Sequence, residues 1–264
     1  MTIHDLSVID HPEWFDRRFS AWYRYLLPRL SATARLVITD SNYSKIRIMR
    51  AFRISDNKIC VIPCGVDTHF FRPRSHLEQA AIRRKYGLLD PYILFAGSLE
   101  PRKNLDRLLR AFSKIERDFA PFRLAIAGAQ AGTFRKLELP AVPPRVQWLG
   151  YVEDGDLPAL YSAARAFIQP SVYEGFGLTV LEAMACGVPV IAAQSTSLPE
   201  VAGDAALLVD PFNVEEIAKA VSDVLGSEDL HDALIRKGLE RTRSFSWDRT
   251  ADLVWEALMR VRGS

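Results

Sequence analysis

At 264 residues the chain is long enough for one large domain or two modest ones, each with its own core. Apolar residues make up 48% and charged residues 25%, the balance of a globular protein. The net charge of +2, from 34 basic and 32 acidic residues, lacks the basic excess expected of a nucleic-acid-binding protein. No apolar run approaches the roughly 18–20 residues needed to cross a bilayer. The opening MTIHDLSVIDHPEWF has early acids instead of the basic-then-apolar pattern of a signal peptide. Cys60, Cys64 and Cys186 are odd in number and lack C-x2-C pairing, which fits small core residues in a reduced, cytoplasmic setting.

In chain order, Thr2 to Leu6 reads as the end of a strand running into a loop, with the pair His4-Asp5 on it. Pro12 to Phe15 and the aromatic, basic run Trp22 to Leu27 predict a helix. Its aromatics either pack inside or lie on a membrane face. Ala34 to Thr39 predicts a strand, Asp40-Ser41-Asn42 a turn and helix cap, Tyr43 to Phe52 the helix, and Lys58 to Pro63 another strand. Gly65 either lets the backbone turn close to a cleft or sits in a plain left-handed turn. Residues 73–90 hold Pro73, a polar helix from Leu77 to Tyr86 and a stop at Gly87, and read as a linker.

A second unit follows. Tyr92 to Gly97, Leu124 to Gly128, Val146 to Gly150, Ala166 to Gln169, Val190 to Ala193 and Ala206 to Val209 are six short apolar runs separated by helical segments. They predict an α/β fold with one doubly wound, Rossmann-like parallel sheet. Helices are expected over Leu105 to Ile115, Leu157 to Ala164, Leu178 to Cys186, Val214 to Leu225, Asp229 to Arg243 and Ser246 to about Arg262.

Candidate chemistry sits on loops that follow these strands, the edge where open α/β sheets bind ligands. Ser171 to Gly177 holds one carboxylate, Glu174, with Gly175 and Gly177 allowing close backbone approach. The amides opening the following helix suit a phosphate. Glu182 lies eight residues after Glu174, about one turn into that helix; both suit hydroxyls better than phosphate, or simply face solvent. The loop Gly97-Ser98-Leu99-Glu100-Pro101-Arg102-Lys103-Asn104 offers two cations for a diphosphate, Arg102 through paired donors and Lys103 as a point charge. No G-x-G-x-x-G follows the first strand, which sets a dehydrogenase aside.

The segment from Glu174 through Glu182 to Gly187-Val188-Pro189-Val190 resembles the E-x7-E segment of family 4 retaining glycosyltransferases, which have the GT-B fold. Ser41-Asn42-Tyr43-Ser44 and Val61 to Asp67 resemble the same family's S-x-x-S and V-I-P-x-G-V-D passage. The resemblance implies transfer of a hexose from a nucleotide sugar with retention, without a metal or other cofactor. It implies that Glu174 lies by the donor sugar and Glu182 by the ribose hydroxyls. The backbone of Gly177, Leu178 and Thr179 would lie by the diphosphate, with Gly175 and Phe176 in the same donor-binding loop. Lys103 matches the family's basic residue beside Gly97. The arginine many members carry just after that glycine is Ser98 here, so either Arg102 compensates or the site is weaker. Tyr151 and Val152 would line the base pocket, and Tyr151 either stacks on the base or is structural. His4, followed by an acid, matches a cleft histidine facing the donor sugar or its phosphate; the alternative is an exposed side chain.

Likeness of the H-D-L-S and G-S-L-E-P-R-K-N wording to mannosyltransferases suggests GDP-mannose or a similar donor, and a glycan or polyprenyl-linked acceptor in polysaccharide biosynthesis. That reading implies peripheral contact with the inner face of the membrane and no nucleic-acid partner. It divides the chain into an acceptor-side unit over 1–72, a linker over 73–90, a nucleotide-sugar-binding unit over 91–245 and a terminal helix over 246–264 that crosses back. A doubly wound domain takes on the order of 100–150 residues, so the first unit reads as partial: a fragment, a shortened gene product, or one chain of a pair whose partner supplies the missing N-terminal half. The alternative function is a truncated, non-catalytic nucleotide-sugar-binding chain or subunit.

Overall fold

A computed structural model of the chain describes residues 1–130, 134, 139 and 141–262. Residues 1–3 run as an extended segment, with the Ile3 amide donating to the Ile38 carbonyl (2.8 Å) and the Ile38 amide to the Met1 carbonyl (2.8 Å). They lie parallel to β1 (Val37–Thr39), which pairs in parallel with β2 (Ile59–Val61). Both strands are shorter than their apolar runs, because the ladder extends over three residue pairs.

Around these strands pack α1 (Ser7–Asp10), α2 (Arg17–Thr33) and α3 (Asn42–Phe52). Asp16 starts α2 by accepting from the Arg18 and Phe19 amides, and the Ser41 hydroxyl starts α3 by accepting from the Ser44 amide at 3.1 Å. Only some of the aromatics of α2 pack inside. Phe19 and Tyr23 turn onto a small core with Ile3, Leu6, Val37 and Ile48, whereas Trp22 and Tyr25 are 58% and 54% exposed.

The connecting stretch carries α4 (His76–Lys85), opened by a reciprocal capping box between Ser75 and Glu78 and followed by Gly87 in the left-handed region at φ 66°. Then β3 (Tyr92–Ala96), α5 (Leu105–Ile115), β4 (Arg123–Ala127), β5 (Val146–Gly150), α6 (Leu157–Ser162) and β6 (Ala166–Gln169) follow in turn. After them come α7 (Leu178–Ala185), β7 (Val190–Ala193), α8 (Leu198–Ala202), β8 (Ala206–Val209), α9 (Val214–Gly226), α10 (Glu228–Thr242) and α11 (Trp247–Arg262). Positions 263–264 of the expected terminal helix lie outside the described residues.

The six strands from β3 to β8 form one parallel sheet in the order β5-β4-β3-β6-β7-β8. Alternate residues feed two cores. Tyr92, Leu94 and Ala96 join Leu160, Val180 and Leu181 on one face, and Ile93 and Phe95 join Leu108, Phe112 and Ile217 on the other. Burial on both faces is why the central strands β3, β4, β6 and β7 are near-continuous apolar runs and not alternating ones. The chain steps outward from β3 to β5, then returns to lay β6 on the other side of β3. The crevice between β3 and β6 is therefore the sheet's switch point. The short helices α1 and α8 were not foreseen: four and five residues are too few for a periodic signal.

Gly65 corrects the expectation of a plain left-handed turn. It is not in the left-handed region. A Cβ there would lie 2.3 Å from the Trp247 amide nitrogen and 2.5 Å from the Ser246 carbonyl carbon. Glycine is required because the chain entering α11 lies directly across it. Val66 donates its amide to the Phe245 carbonyl at 3.1 Å, and Thr250 donates its hydroxyl to the Pro63 carbonyl at 2.8 Å. These bonds hold the start of α11 against the segment that follows β2.

Candidate functional site

Two loops meet at the switch point, one after β3 and one after β6. Asn104 binds them together. It adopts the left-handed conformation (φ 61°) that asparagine tolerates. Its side-chain amide donates to the carbonyls of Pro170 (2.9 Å) and Pro211 (2.7 Å). Glu174 is 6% exposed at the centre of the second loop. Its carboxylate accepts from Lys103 Nζ (2.7 Å), from Gln169 Nε2 (2.6 Å) and from Arg102 Nη1. Burial by itself pushes this carboxyl up, but the adjacent Lys103 and Arg102 charges outweigh it and hold it down at about 2.

Arg102 also donates to the Tyr173 carbonyl (3.2 Å), and its Nη2 lies 2.8 Å from Glu100. Burial disfavours its charge, yet Glu174, Glu100 and Asp5 together raise its pKa above the usual arginine value. Lys103 is turned the other way, toward Gly97. A Cβ on Gly97 would lie 3.6 Å from Lys103 Nζ, so the glycine leaves the ammonium unscreened on that side.

Gly97 is also a wall of a cavity of about 380 Å³ that opens above β3, β4 and β5. Ser98, Tyr151, Val152, Thr179 and Glu182 line it as well, bringing together the loop after β3, the turn after β5 and helix α7. Glu182 is half-buried, and Tyr161 donates its hydroxyl to it at 3.1 Å. Burial raises the Glu182 carboxyl above its ordinary value, and the Tyr161 bond partly offsets this. Val152 is buried, while Tyr151 is 73% exposed with its ring free to meet a ligand. Among the residues of the Glu174 loop, Phe176 turns its side chain into the core against Phe245 and can offer only backbone. Leu178 and Thr179 form the first turn of α7 after Gly177, where no side chain caps the helix.

The N-terminal pair reaches the same loop through the His4 carbonyl and the Asp5 side chain. A Cβ on Gly175 would lie 3.0 Å from the His4 carbonyl oxygen and 2.9 Å from Asp5 Cβ, so glycine is what admits this contact. The His4 ring is 74% exposed and bonds Asp40 through Nδ1 at 2.7 Å. Burial raises the Asp40 carboxyl, and the bond to His4 opposes that rise.

The residues that shape the Glu174 loop from behind escaped the sequence reading. The buried Ser197 hydroxyl spans the carbonyls of Glu174 (2.9 Å) and Phe176 (2.8 Å), and Thr196 Oγ1 accepts the Glu174 amide at 3.0 Å. The only signal was a Ser-Thr-Ser run after an apolar strand, which reads as an ordinary turn. Of metal-ligating side chains, Glu228, His231 and Asp232 cluster on the first turns of α10, away from these loops, and Glu228 is already paired with Arg165 at 2.6 Å.

Residues 78–241 match the profile of the group 1 glycosyl transferases, and residues 1–70 that of glycosyltransferase family 4. The chain is 35% identical to O-antigen chain mannosyltransferase B of Escherichia coli over 94% of its own length and 66% of that protein. It is 34% identical to the serotype-specific mannosyltransferase WbdA of Escherichia coli over 98% of its length, but only 33% of that protein. It thus spans about two thirds of one curated relative and about one third of the other. Among solved structures, sucrose-phosphate synthase of Thermosynechococcus elongatus superposes with a TM-score of 0.80 at 24% identity, covering 99% of this chain and 67% of that one. Anabaena HepE in complex with UDP-glucose superposes at 0.82 with 20% identity, covering 98% of this chain and 71% of that one. The fold is of the GT-B type.

Proposed function

The chain belongs to the group 1 glycosyl transferases, and on that premise we propose that it moves a hexose, mannose in our reading, from a nucleotide sugar to a growing glycan with retention at the anomeric carbon. The observation that carries this reading is the meeting of two features across Gly97. On one side is a cavity lined by Ser98, Tyr151, Thr179 and Glu182; on the other is the buried pair Lys103–Glu174. A nucleoside fits the cavity, with its base near Tyr151 and Val152 and its ribose hydroxyls on Glu182. The diphosphate then runs past Gly97 toward Lys103 and the amides of Gly177, Leu178 and Thr179. The sugar lies at Glu174, and His4 and Asp5 pack against the next residue, Gly175.

In this scheme the chemistry is stabilisation of charge on the departing diphosphate, by the Lys103 ammonium and the positive end of α7. The leaving phosphate takes the acceptor's proton on the same face, so no separate side chain acts as base. Charge neutralisation by these groups gives a metal-independent reaction: EDTA is expected to leave the transfer rate within about twofold, and a rate that collapses with EDTA and returns with a divalent cation would overturn this part.

For the acceptor we favour a glycan or polyprenyl-linked sugar at a membrane surface. Support comes from α2, which carries Arg17, Arg18, Arg24 and Arg29 without an acid and exposes Trp22 and Tyr25. Among the described residues no helix is long and apolar enough to cross a membrane.

The test is calorimetry with a panel of nucleotide sugars, followed by transfer assays that read the anomeric configuration of the product. Glu182→Ala removes a charged acceptor of hydrogen bonds and is expected to raise the donor Kd about tenfold, equal to roughly 1.4 kcal/mol. No binding of any nucleotide sugar by the native chain would sink the reading.

A further inference from the structure

We propose that Glu100 is a positioning residue, which holds the Arg102 guanidinium on the Glu174 carboxylate and away from the donor's diphosphate. The inference rests on the donor-site reading above and assigns different tasks to two adjacent cations. Glu100 is fully buried, at 0% exposure. Its Oε1 accepts from the Ser98 hydroxyl (2.6 Å) and lies 2.8 Å from Arg102 Nη2, while its Oε2 has no hydrogen-bond partner. A buried carboxylate with an unmet oxygen is costly, and nothing in the sheet or its helices requires an acid there.

What it accomplishes is visible on the guanidinium. One terminal nitrogen of Arg102 is directed to Glu100, and the other to Glu174 and the Tyr173 carbonyl. The Arg102 carbonyl accepts the Val172 amide at 2.8 Å, so backbone and side chain both tie the loop after β3 to the loop after β6. A planar guanidinium held at both ends has one orientation. Lys103 differs: a single rotatable ammonium on Glu174, beside the open Gly97 wall. When an arriving diphosphate draws Lys103 toward it, Arg102 stays behind and keeps Glu174 ionised and aimed. Glu100 and Glu174 face Lys103 and Arg102, with Asp5 a further acid acting on Arg102, and Glu100 supplies the second contact that allows Arg102 to remain fixed.

The test uses the full chain and two variants, with donor Kd by calorimetry and steady-state transfer. Glu100→Gln keeps the shape and an acceptor for Ser98. It is expected to lower kcat tenfold or more while leaving the donor Kd within about threefold, the split of a residue that aims Glu174 without touching the donor. Arg102→Lys keeps a charge but loses the fork, and should show the same split between kcat and Kd. Melting curves verify that both variants are folded at the assay temperature. A Glu100→Gln enzyme with native kcat overturns the positioning role. So does an Arg102→Lys enzyme whose main defect is a tenfold weaker donor Kd, since that would make Arg102 a phosphate ligand. A native chain that binds no nucleotide sugar overturns instead the donor-site reading beneath it.

Discussion

Glu174→Ala is expected to abolish most of the transfer activity and, separately, to lower the stability of the fold by about 3–5 kcal/mol, the usual cost of removing one partner from a buried ion pair. The reason is arithmetic of charge. Lys103 and Arg102 both end on this carboxylate inside the protein, with side chains 8% and 18% exposed. Its removal leaves Lys103 without that counter-ion and Arg102 with Glu100 alone. For a chain of this size the loss corresponds to a fall in Tm of roughly 10 °C.

Glu174→Gln separates the two effects, because it preserves volume and hydrogen bonding while removing the charge. It should melt closer to the native protein yet still lose about 10²–10³ in kcat, the scale of removing one preorganised electrostatic contact. The sign of the pH dependence follows from the carboxyl being held at about 2 where 4.5 is ordinary. Its stabilisation is present in full above 4.5 and is lost as pH falls through about 2, a contribution of about 3 kcal/mol. The stability gap between native protein and Glu174→Gln should therefore narrow between pH 5 and pH 2, measured by denaturant titration at fixed pH. A gap that stays constant over that range refutes the ion-pair account.

Gly128→Ala is the second large effect. Gly128 ends β4 at φ 148°, a conformation closed to side chains, and an added Cβ would lie 1.8 Å from the Gly97 carbonyl oxygen and 2.9 Å from its carbon. The obstruction is backbone, which cannot swing aside as a side chain would. The Gly97 amide donates to the Ala127 carbonyl at 3.0 Å and the Gly128 amide to the Gly150 carbonyl at 2.7 Å, so displacing either strand end breaks the edge of the sheet where the cavity begins. Overpacking of this kind costs about 1–3 kcal/mol, occasionally more. Donor affinity should fall about 100-fold, since Gly97 and Gly128 are both cavity walls. Gly150→Ala is the control: its φ of 69° is strained, but nothing lies within 4 Å of the added Cβ. It should cost only about 1–2 kcal/mol and leave donor affinity near native. Equal donor affinities for the two variants would refute the steric argument.

Much of the sheet was legible before the structure. The central strands β3, β4, β6 and β7 fall on the apolar runs because strands buried on both faces need apolar residues at nearly every position. The boundaries of α5 and α7 follow from Asn104 and Gly177 before them and from the Gly187–Pro189 stop after α7. The Glu174-to-Glu182 spacing correctly set one carboxylate on a loop and the other on a helix. It did not reveal that the two face different surroundings. Glu182 lines the cavity with Tyr161 behind it, whereas Glu174 is sealed among cations and held ionised.

Nor could the chain say which way Arg102 and Lys103 turn, since a basic pair on a loop looks the same whether it meets solvent, a phosphate or a carboxylate 71 residues away. Gly65 read as a turn because its neighbour is Trp247, 182 positions later. Local propensity, apolar period and turn chemistry act within a few residues, and they alone determined the strands, the helices and the positions of the loops. Which loops share a crevice was decided when β6 returned to the far side of β3. Charge pairing and steric exclusion act through space, so the partners of Glu174, the task of Arg102 and the need for Gly65 and Gly175 to be glycine exist only in the folded chain.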